Sequence, residues 1–434
     1  MNKKSIVGIC LSLFILGSSL GYALSQSSGT FTTSQGVYPG APSYTIWQED
    51  STYYAKNVYG AIDYSGTNGT TIIQNALDNG RTIFLKAGIY VASGFMNTNN
   101  VLVGEGNATE FRGTIYANSI VDFSIENMRI SGSIVVTHSF GMTMDSVNIN
   151  ALGTTNGICI SDNSNDIDIL STRVYNATED NIKIVESNRI NILNVASYYA
   201  GRDGLHLYDI GDNPPGALYY NPPIVTNSFF LNNERYGIYA YEVHDLTISD
   251  NDIERNKLTG VYIHGPIEAK IAHNQIEYDN QNNESGHGAL VLDFPQSTGG
   301  DVYGAIVTGN FFQASRVGVE IKSVADTKAA IIISSNVFFA SPWGLHAWYR
   351  TPEIRLSVQD NIFRQTTTAI LLENTTLTAS NTLLLGNILD TCVSGMRLDY
   401  VTGVNIHDNK FISCSATIEL LHGSTAEQAD NMGA

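Results

Sequence analysis

Six aromatic or imidazole side chains recur at one spacing in this chain. His206 and Tyr208, Tyr239 and Tyr241, and Tyr262 and His264 stand two and four residues after Gly204, Gly237 and Gly260. Lys183 holds the equivalent place one repeat earlier, and Glu179, Asp180, Arg202 and Asp203 lie just ahead of two such segments. Rings suit the flat apolar faces of sugars, and flanking polar groups can fix hydroxyls. Two reactions are within reach of this set. In β-elimination or C5 epimerisation of a uronan, Lys183 or Arg202 would neutralise the sugar carboxylate. His206 would remove the C5 proton and Tyr208 or Tyr239 would supply the acid. In hydrolysis, Asp180 and Asp203, with Glu179, would provide acid and base. Tyr239, Tyr241, Tyr262 and His264 would then form the binding surface. Tyrosine is also favoured in strands and cross-strand pairs, so a packing stripe would leave the same trace.

Three weaker features lie apart from this set. His287, in Ser285-Gly286-His287-Gly288, and a group of Trp343, His346, Trp348 and Arg350 are further candidates for substrate contact. Asp162, Asp166 and Asp168 are calcium-ligand types, but strand alternation separates their faces, so no metal or other cofactor is expected.

Those spacings need strands. From about residue 165 one phrase returns: apolar-x-apolar, two polar residues, Asn, an apolar triplet, a turn, Gly, and apolar-x-apolar again. Its Asn members are Asn194, Asn227, Asn251, Asn274, Asn310, Asn336, Asn361, Asn387 and Asn409, mostly 22 to 26 residues apart. Ser171, Ser146 and Asn127 continue the column upstream. Period-2 alternation at this repeat length predicts three short strands per coil, stacked about 4.8 Å apart. Asn tolerates the left-handed backbone of a tight bend, and its amide can bond to the Asn above and below. Ile182, Leu205, Ile238, Val261 and Val319 then point inward. The outward columns read Cys159, Lys183, His206, Tyr239, Tyr262, Leu290, Glu320, His346 and Val185, Tyr208, Tyr241, His264, Leu292, Lys322, Trp348. Insertions at roughly 211–223 and 279–302 would wall the aromatic patch. Cys392 and Cys414 share one column and are read as stacked thiols rather than a disulfide.

The opening of the repeat region resembles that of pectate-lyase-like β-helix proteins, which include the polygalacturonases. The resemblance rests on Tyr59-Gly60-Ala61, on Gly69-Thr70-Thr71-Ile72-Ile73-Gln74-Asn75-Ala76-Leu77, and on Thr82-Ile83-Phe84-Leu85-Lys86-Ala87-Gly88-Ile89-Tyr90. It implies an all-β, right-handed parallel β-helix of about a dozen coils, with the helix near residues 70–77 capping the first coil. It says less about activity, because such scaffolds host many functions. Polygalacturonases carry N-T-D-G, G-D-D-C and G-H-G at the starts of successive coils. The same places here hold Thr155-Asn156-Gly157, Glu179-Asp180-Asn181 and Arg202-Asp203-Gly204. One acid has become Asn156 and the family's His has become Asp203, which tilts the reading from hydrolysis toward lyase or epimerase chemistry.

The chain begins with Lys3 and Lys4 and an apolar run from Ile6 to Leu20, then Gly21-Tyr22-Ala23. That layout reads as a secretory signal peptide over 1–23, or an anchor if uncleaved. A polar segment over 24–52, the β-helix over 53–423 and a polar tail over 424–434 complete the organisation. The tail would leave the last coil partly bare, a route to self-association. Acidic residues number 41 against 23 basic, a net charge of −18. With no basic cluster, nucleic acid is excluded as a partner, and no later segment would enter a membrane. Five N-x-S/T sequons, at Asn68, Asn107, Asn176, Asn283 and Asn374, suit an exported glycoprotein. The expected protein is secreted or on the cell surface and acts on an acidic polysaccharide. The alternatives are a non-catalytic adhesin or polysaccharide-binding solenoid, or a structural surface-layer component.

Overall fold

Alternation sets the strands, and their partners come from the next repeat. In Leu205–Ile210 the side chains of Leu205 and Leu207 are fully buried, whereas Tyr208 is 39% exposed. This strand pairs in parallel with Ile182–Val185 before it and Tyr236–Val243 after it. The second strand of the coil, Ile224–Thr226, pairs with Asn188–Leu193 and Thr247–Ser249. The third, Phe229–Leu231, pairs with Ala196–Tyr198 and Asp252–Glu254. Three parallel sheets therefore wrap one apolar core, as the repeats predict, in the right-handed parallel β-helix that the resemblance implies. Inward side chains stack along it: Phe312, Phe338 and Phe363 lie ring on ring at 5.0 and 4.5 Å. The computed structural model describes residues 41–211, 222–280, 284–296, 303–324, 327–348, 354–379 and 381–433. The segment 1–23 read as a signal peptide, Arg350, most of the insertion at 211–223 and residues 281–283 and 297–302 of the second insertion lie outside the described residues.

The asparagine ladder is present with one shift. From Asn251 through Asn274, Asn310, Asn336, Asn361, Asn387 and Asn409, each Nδ2 donates to Oδ1 of the next at 2.9 to 3.1 Å, ending on Asn431. The next Oδ1 also accepts the backbone N–H of the Asn before it, as Asn387 does from Asn361 at 3.1 Å. The left-handed residue of the bend is not the Asn but the one before it: Asp250, His273, Gly309, Ser335, Asp360, Gly386 and Asp408 all have φ between 55° and 68°. Asn194 and Asn227 were expected in the ladder. They stand instead at this bend position, with φ of 55° and 50°, and Ser228 takes the ladder place, accepting from Val195 N at 3.0 Å. Ser171, Ser146 and Asn127, with φ of 47°, 58° and 51°, also belong to the bend column. A short polar side chain meets either demand, so the repeat alone did not fix the register.

A helix, Gly69–Asn79, covers the first coil with Ile72, Ile73, Ala76 and Leu77, all buried. Asn68 caps it, accepting from Thr71 N at 3.3 Å. The strand Tyr44–Glu49 pairs with Thr52–Asn57 and with Thr82–Leu85, so part of the expected polar segment 24–52 is built into the fold. At the other end, Ala426–Ala429 and Met432–Gly433 add strands to the last coil, within the expected tail 424–434. Cys392 and Cys414 are free thiols, and Cys392 stacks on Thr366 with its sulfur 3.2 Å from Oγ1. Asn374 is buried, so that sequon is not presented at the surface.

Candidate functional site

The glycine before each groove strand is there because the chain leaves no room. A Cβ on Gly237 would lie 2.6 Å from the Gly260 carbonyl oxygen, and one on Gly204 would meet Gly237 O at 2.7 Å. This close approach brings the residues just ahead of the strands into register. Asp180, Asp203 and Tyr236 share one column, and Glu179, Arg202 and Arg235 share the one before it.

Each arginine reaches back one coil to a carboxylate. Arg202 forms a two-point pair with Asp180, its Nε 2.8 Å from Oδ1, and Arg235 pairs likewise with Asp203 at 2.7 Å. Both aspartate side chains are 0% exposed, whereas the two arginines remain about a third open. His206 Nδ1 lies 3.1 Å from Asp203 Oδ2 and 3.6 Å from Asp180 Oδ2. Burial pushes the Asp203 carboxyl up, but the bonds from Arg235 and His206 outweigh it and hold the group below the ordinary carboxylate range. An ionised carboxylate only accepts, so His206 carries its hydrogen on Nδ1 and leaves the Nε2 lone pair for a ligand. Glu179 meets Arg202 at 3.5 Å from a half-exposed position at the rim. Lys183 aligns with His206 one coil away and has no ion-pair partner among the described residues.

The aromatic side chains form two tracks. In the first, His206 sits edge-on to Tyr239 at 4.9 Å, and Tyr239 is followed by Tyr262 at 5.8 Å. Tyr236 packs beside both, 5.4 Å from Tyr239 and 5.1 Å from Tyr262. In the second, Tyr208, Tyr241 and His264 are stacked at 5.0 and 4.6 Å with planes within 9°. Arg235 lies over Tyr236 and Tyr239 at 4.6 and 5.1 Å. Burial raises the hydroxyl of Tyr239, and that of Tyr236 is pushed up to about 12. Both are therefore proton donors at neutral pH.

The expected columns slip by one residue at the next coil. Tyr262 aligns with Val291 and His264 with Asp293, so Leu290 and Leu292 point inward and are fully buried. Ala289 takes the place held by glycine elsewhere. Asp293, missed in the sequence, accepts from the Tyr262 hydroxyl at 2.6 Å and lies 3.1 Å from His264 Nδ1. Arg235 and Tyr236 were also missed; their signal was their place in the same columns as Arg202 and Asp203. His287 joins the patch, its Nδ1 3.1 Å from Thr259 Oγ1 and its ring 6.0 Å from Tyr236. His346 and Trp348 do not. His346 is five coil steps from His206, about 24 Å along the axis. There it is buried between Glu320 at 3.0 Å and Glu373 at 3.6 Å, with Trp343 packed against it at 5.1 Å. Trp348 lies on the neighbouring column, beside Lys322.

Among the described residues, Asp180, Asp203 and His206 are the one group whose ligand atoms lie within 4.8 Å of one another. Arg202 and Arg235 already balance both carboxylates, and a cation would have to displace a guanidinium. Asp162, Asp166 and Asp168 do not converge: Asp166 pairs with Arg189 at 2.6 Å and Asp168 accepts from Asn191 at 3.2 Å.

Residues 112–276 and 156–357 match the family model described as a right-handed β-helix region. Residues 296–432 match a second one, described as periplasmic copper-binding protein (NosD). No converging donor set for copper occurs among the described residues of that segment. Cys392 and Cys414 are held by Thr366 and backbone carbonyls, and His346 turns its two nitrogens to opposite carboxylates. No curated protein matches the chain. Among solved structures, the A-module of mannuronan C-5 epimerase AlgE4 from Azotobacter vinelandii is 15% identical over 83% of this chain and 97% of its own, at a TM-score of 0.38. The surface adhesin PfbA of Streptococcus pneumoniae is 12% identical over 84% and 96%, at 0.39. A GH87 α-1,3-glucanase catalytic domain, crystallised with tetrasaccharides, is 12% identical over 83% and 67%, at 0.49. No helix among the described residues is long and apolar enough to cross a membrane. The two overlapping matches to the first model span residues 112–357, more than half of the sequence, and the chain belongs to the right-handed β-helix family.

Proposed function

We propose that this protein works outside the cytoplasm on an acidic polysaccharide, removing the proton next to a uronate carboxylate in the groove formed by the strands after Gly204, Gly237 and Gly260. The observation that carries this reading is the Asp203–His206 pair, which orients an imidazole by its Nδ1 with the ring edge-on to Tyr239 at 4.9 Å. His206 is the base and Tyr239 the acid. Lys183, one coil from His206, neutralises the sugar carboxylate, and the open edges of Arg202 and Arg235 add to that field. Tyr208 and Tyr241 offer a stacked surface for the sugar rings. Hydrolysis by Asp180 and Asp203 fits less well. Both carboxylates are buried and tied to guanidinium groups, whereas an inverting pair needs free oxygens facing a water.

The test is incubation with a panel of uronans and neutral polysaccharides, following reducing ends, unsaturated uronide absorbance and exchange of the C5 hydrogen with solvent. Turnover should occur on uronans, without saturated reducing ends. His206→Ala should lower it by about 10²–10⁴-fold with binding nearly unchanged, the usual weight of an acid–base group. Binding without turnover would support the adhesin reading, which the aromatic tracks also suit. Loss of activity in Asp180→Asn with His206→Ala unaffected would restore the hydrolase.

A further inference from the structure

Arg202 and Arg235 make the same two-point pair with a buried aspartate, one coil apart. Of the two, among the described residues, only Arg235 also lies over rings of the groove. Its Nε lies 2.7 Å from Asp203 Oδ1, and its Nη2 closes the pair on Oδ2. Its guanidinium carbon stands 4.6 Å from the centre of the Tyr236 ring and 5.1 Å from that of Tyr239. Asp203 is also met by His206, whose Nδ1 lies 3.1 Å from Oδ2, and by the Tyr236 N–H, which donates to Oδ1 at 3.3 Å. The backbone fixes this arginine from both sides. Its N–H donates to Arg202 O at 2.8 Å, and its carbonyl accepts from the Leu258 N–H at 2.9 Å. One ion pair thus has its carboxylate against the proposed base and its guanidinium against the proposed acid.

We propose that Arg235 is a positioning residue for β-elimination: one guanidinium fixes the base through Asp203 and lies on the ring of the acid, so that the ion pair meets the charges that proton transfer creates. This rests on His206 being the base and Tyr239 the acid. His206 Nε2 takes the C5 proton, and the C5–H electron pair forms the C4–C5 double bond. The C4–O bond breaks, and the leaving oxygen takes the Tyr239 hydroxyl proton. His206 is left as a cation facing Asp203, and Tyr239 as an anion facing Arg235. Both opposite charges are in place before the reaction, which is where such stabilisation counts most. Arg202 pairs with Asp180 and lies 3.9 Å from Asp203, so it reaches only the base.

The charged and titratable neighbours of these groups are few. Asp203, Tyr236, Tyr239 and Arg202 surround Arg235. His206 faces Asp203, Asp180 and Tyr239, with Lys183 aligned one coil away. Tyr239 faces Arg235, Asp203, Tyr241 and Asp293, and packs on Tyr236 and Tyr262. Burial raises the Tyr239 hydroxyl, and Arg235 opposes that rise.

The experiment follows unsaturated-uronide absorbance on polymannuronate, polygalacturonate and polyglucuronate from acid to alkaline pH, and titrates the His206 and Tyr239 rings of the full-length chain by NMR. Arg235→Gln removes the cation and keeps an amide donor. It should lower kcat by about 10²–10³-fold, the usual loss for one preorganised electrostatic group. A cation opposes protonation of the Asp203–His206 pair and favours ionisation of Tyr239, so its loss raises both titrations. Both limbs of the kcat/KM profile should move to higher pH by about one unit or more, and both NMR midpoints with them. Arg235→Lys keeps the charge but not the planar fork. It should lower kcat and leave both limbs near the parental pH. Melting curves check folding. If Arg235→Gln unfolds, Asp203→Asn compared with Asp203→Asn/Arg235→Gln reads the same rise at Tyr239 with no buried Asp203 carboxylate left unpaired. Limbs that stay at the parental pH while kcat falls would make Arg235 a scaffold residue and overturn the proposal. So would a shift in one limb alone, or Arg235→Lys moving both limbs as Arg235→Gln does. A parent that forms no unsaturated uronide removes this role for Arg235; midpoints that still move would place that failure in the His206 reading rather than in the Arg235 contacts.

Discussion

Carboxylates in this protein are sorted by the partners that face them. Asp203 is buried and Asp293 partly buried, yet both are held ionised, because arginine, histidine or tyrosine donors converge on them. Glu277 is also buried but faces Asp252 and Glu254, with one amide donor from Gln275 at 2.6 Å. Burial chiefly, with these acids adding to it, pushes Glu277 up to about 7 and Asp252 up to about 6. An unfolded Glu titrates near about 4.3. Between that pH and about 7 the native state keeps a proton that the unfolded chain has lost, so this group's contribution to stability falls as pH rises. Glu277→Gln should therefore match the parent at pH 4 and exceed it at pH 8 by on the order of 2 kcal/mol, read from denaturant midpoints at the two pH values. A parallel pH dependence in the two proteins would refute the assignment. The candidate site was partly legible from residue types. His206, Asp203, Arg202 and the tyrosines were visible because each follows or precedes a glycine at fixed spacing. Asp293 was not, because Ala289 replaces the glycine and displaces the frame by one residue. Arg235 was hidden because nothing in the sequence shows that it reaches back 32 residues to Asp203.

At the scale of the element, the two polar columns at the bend have different tasks. A ladder Asn is buried and fully bonded: Asn361 donates to Ile333 O and Asn387 Oδ1, and its own Oδ1 accepts from Asn336. Asn361→Leu removes these bonds and strands neighbouring donors, at a cost of about 1–3 kcal/mol for each buried group left unsatisfied. The bend residue one place earlier needs only a left-handed backbone. Asn227→Gly should accordingly be tolerated within about 0.5 kcal/mol, since glycine adopts that conformation freely. Thermal unfolding of the two variants tests the division, and equal losses would contradict it. The repeat length, the inward columns and the capping helix were all legible, because each rests on a period that sequence displays directly. The assignment of Asn194 and Asn227 failed because bend and ladder both accept asparagine, and hydrogen-bond register alone separates them.

The whole molecule is a stack in which every coil touches mainly its two neighbours. In such a solenoid stability is close to a sum of coil and interface contributions, and removing one repeat in register leaves the remaining interfaces in place. Residues 387–408 form one such repeat, holding the strands Ile388–Asp390, Ser394–Thr402 and Val404–His407. Excising them joins Gly386, left-handed at φ 65°, directly to Asn409. The bend and ladder positions then follow one another as before. Asn361, which donates to Asn387, meets Asn409 instead, and Ile362–Arg364 meets Lys410–Ile412 in place of Ile388–Asp390. The excision also removes Asp399 and Tyr400, the partners of His422, so the last coil loses one surface ion pair and one ring stack. Neither lies in the core. The groove is untouched, because His264 and Asp293 belong to coils well before the cut. The shortened protein should keep a β-rich circular dichroism spectrum and the parental turnover, with a lower melting midpoint. Removing residues 387–397 instead would set bend residues against strand residues and turn inward side chains outward, since a one-position slip reverses every face. That variant should fail to fold. Equal outcomes for the two deletions would mean that the coils are not interchangeable units, and that distant contacts rather than nearest-neighbour stacking hold the groove in shape.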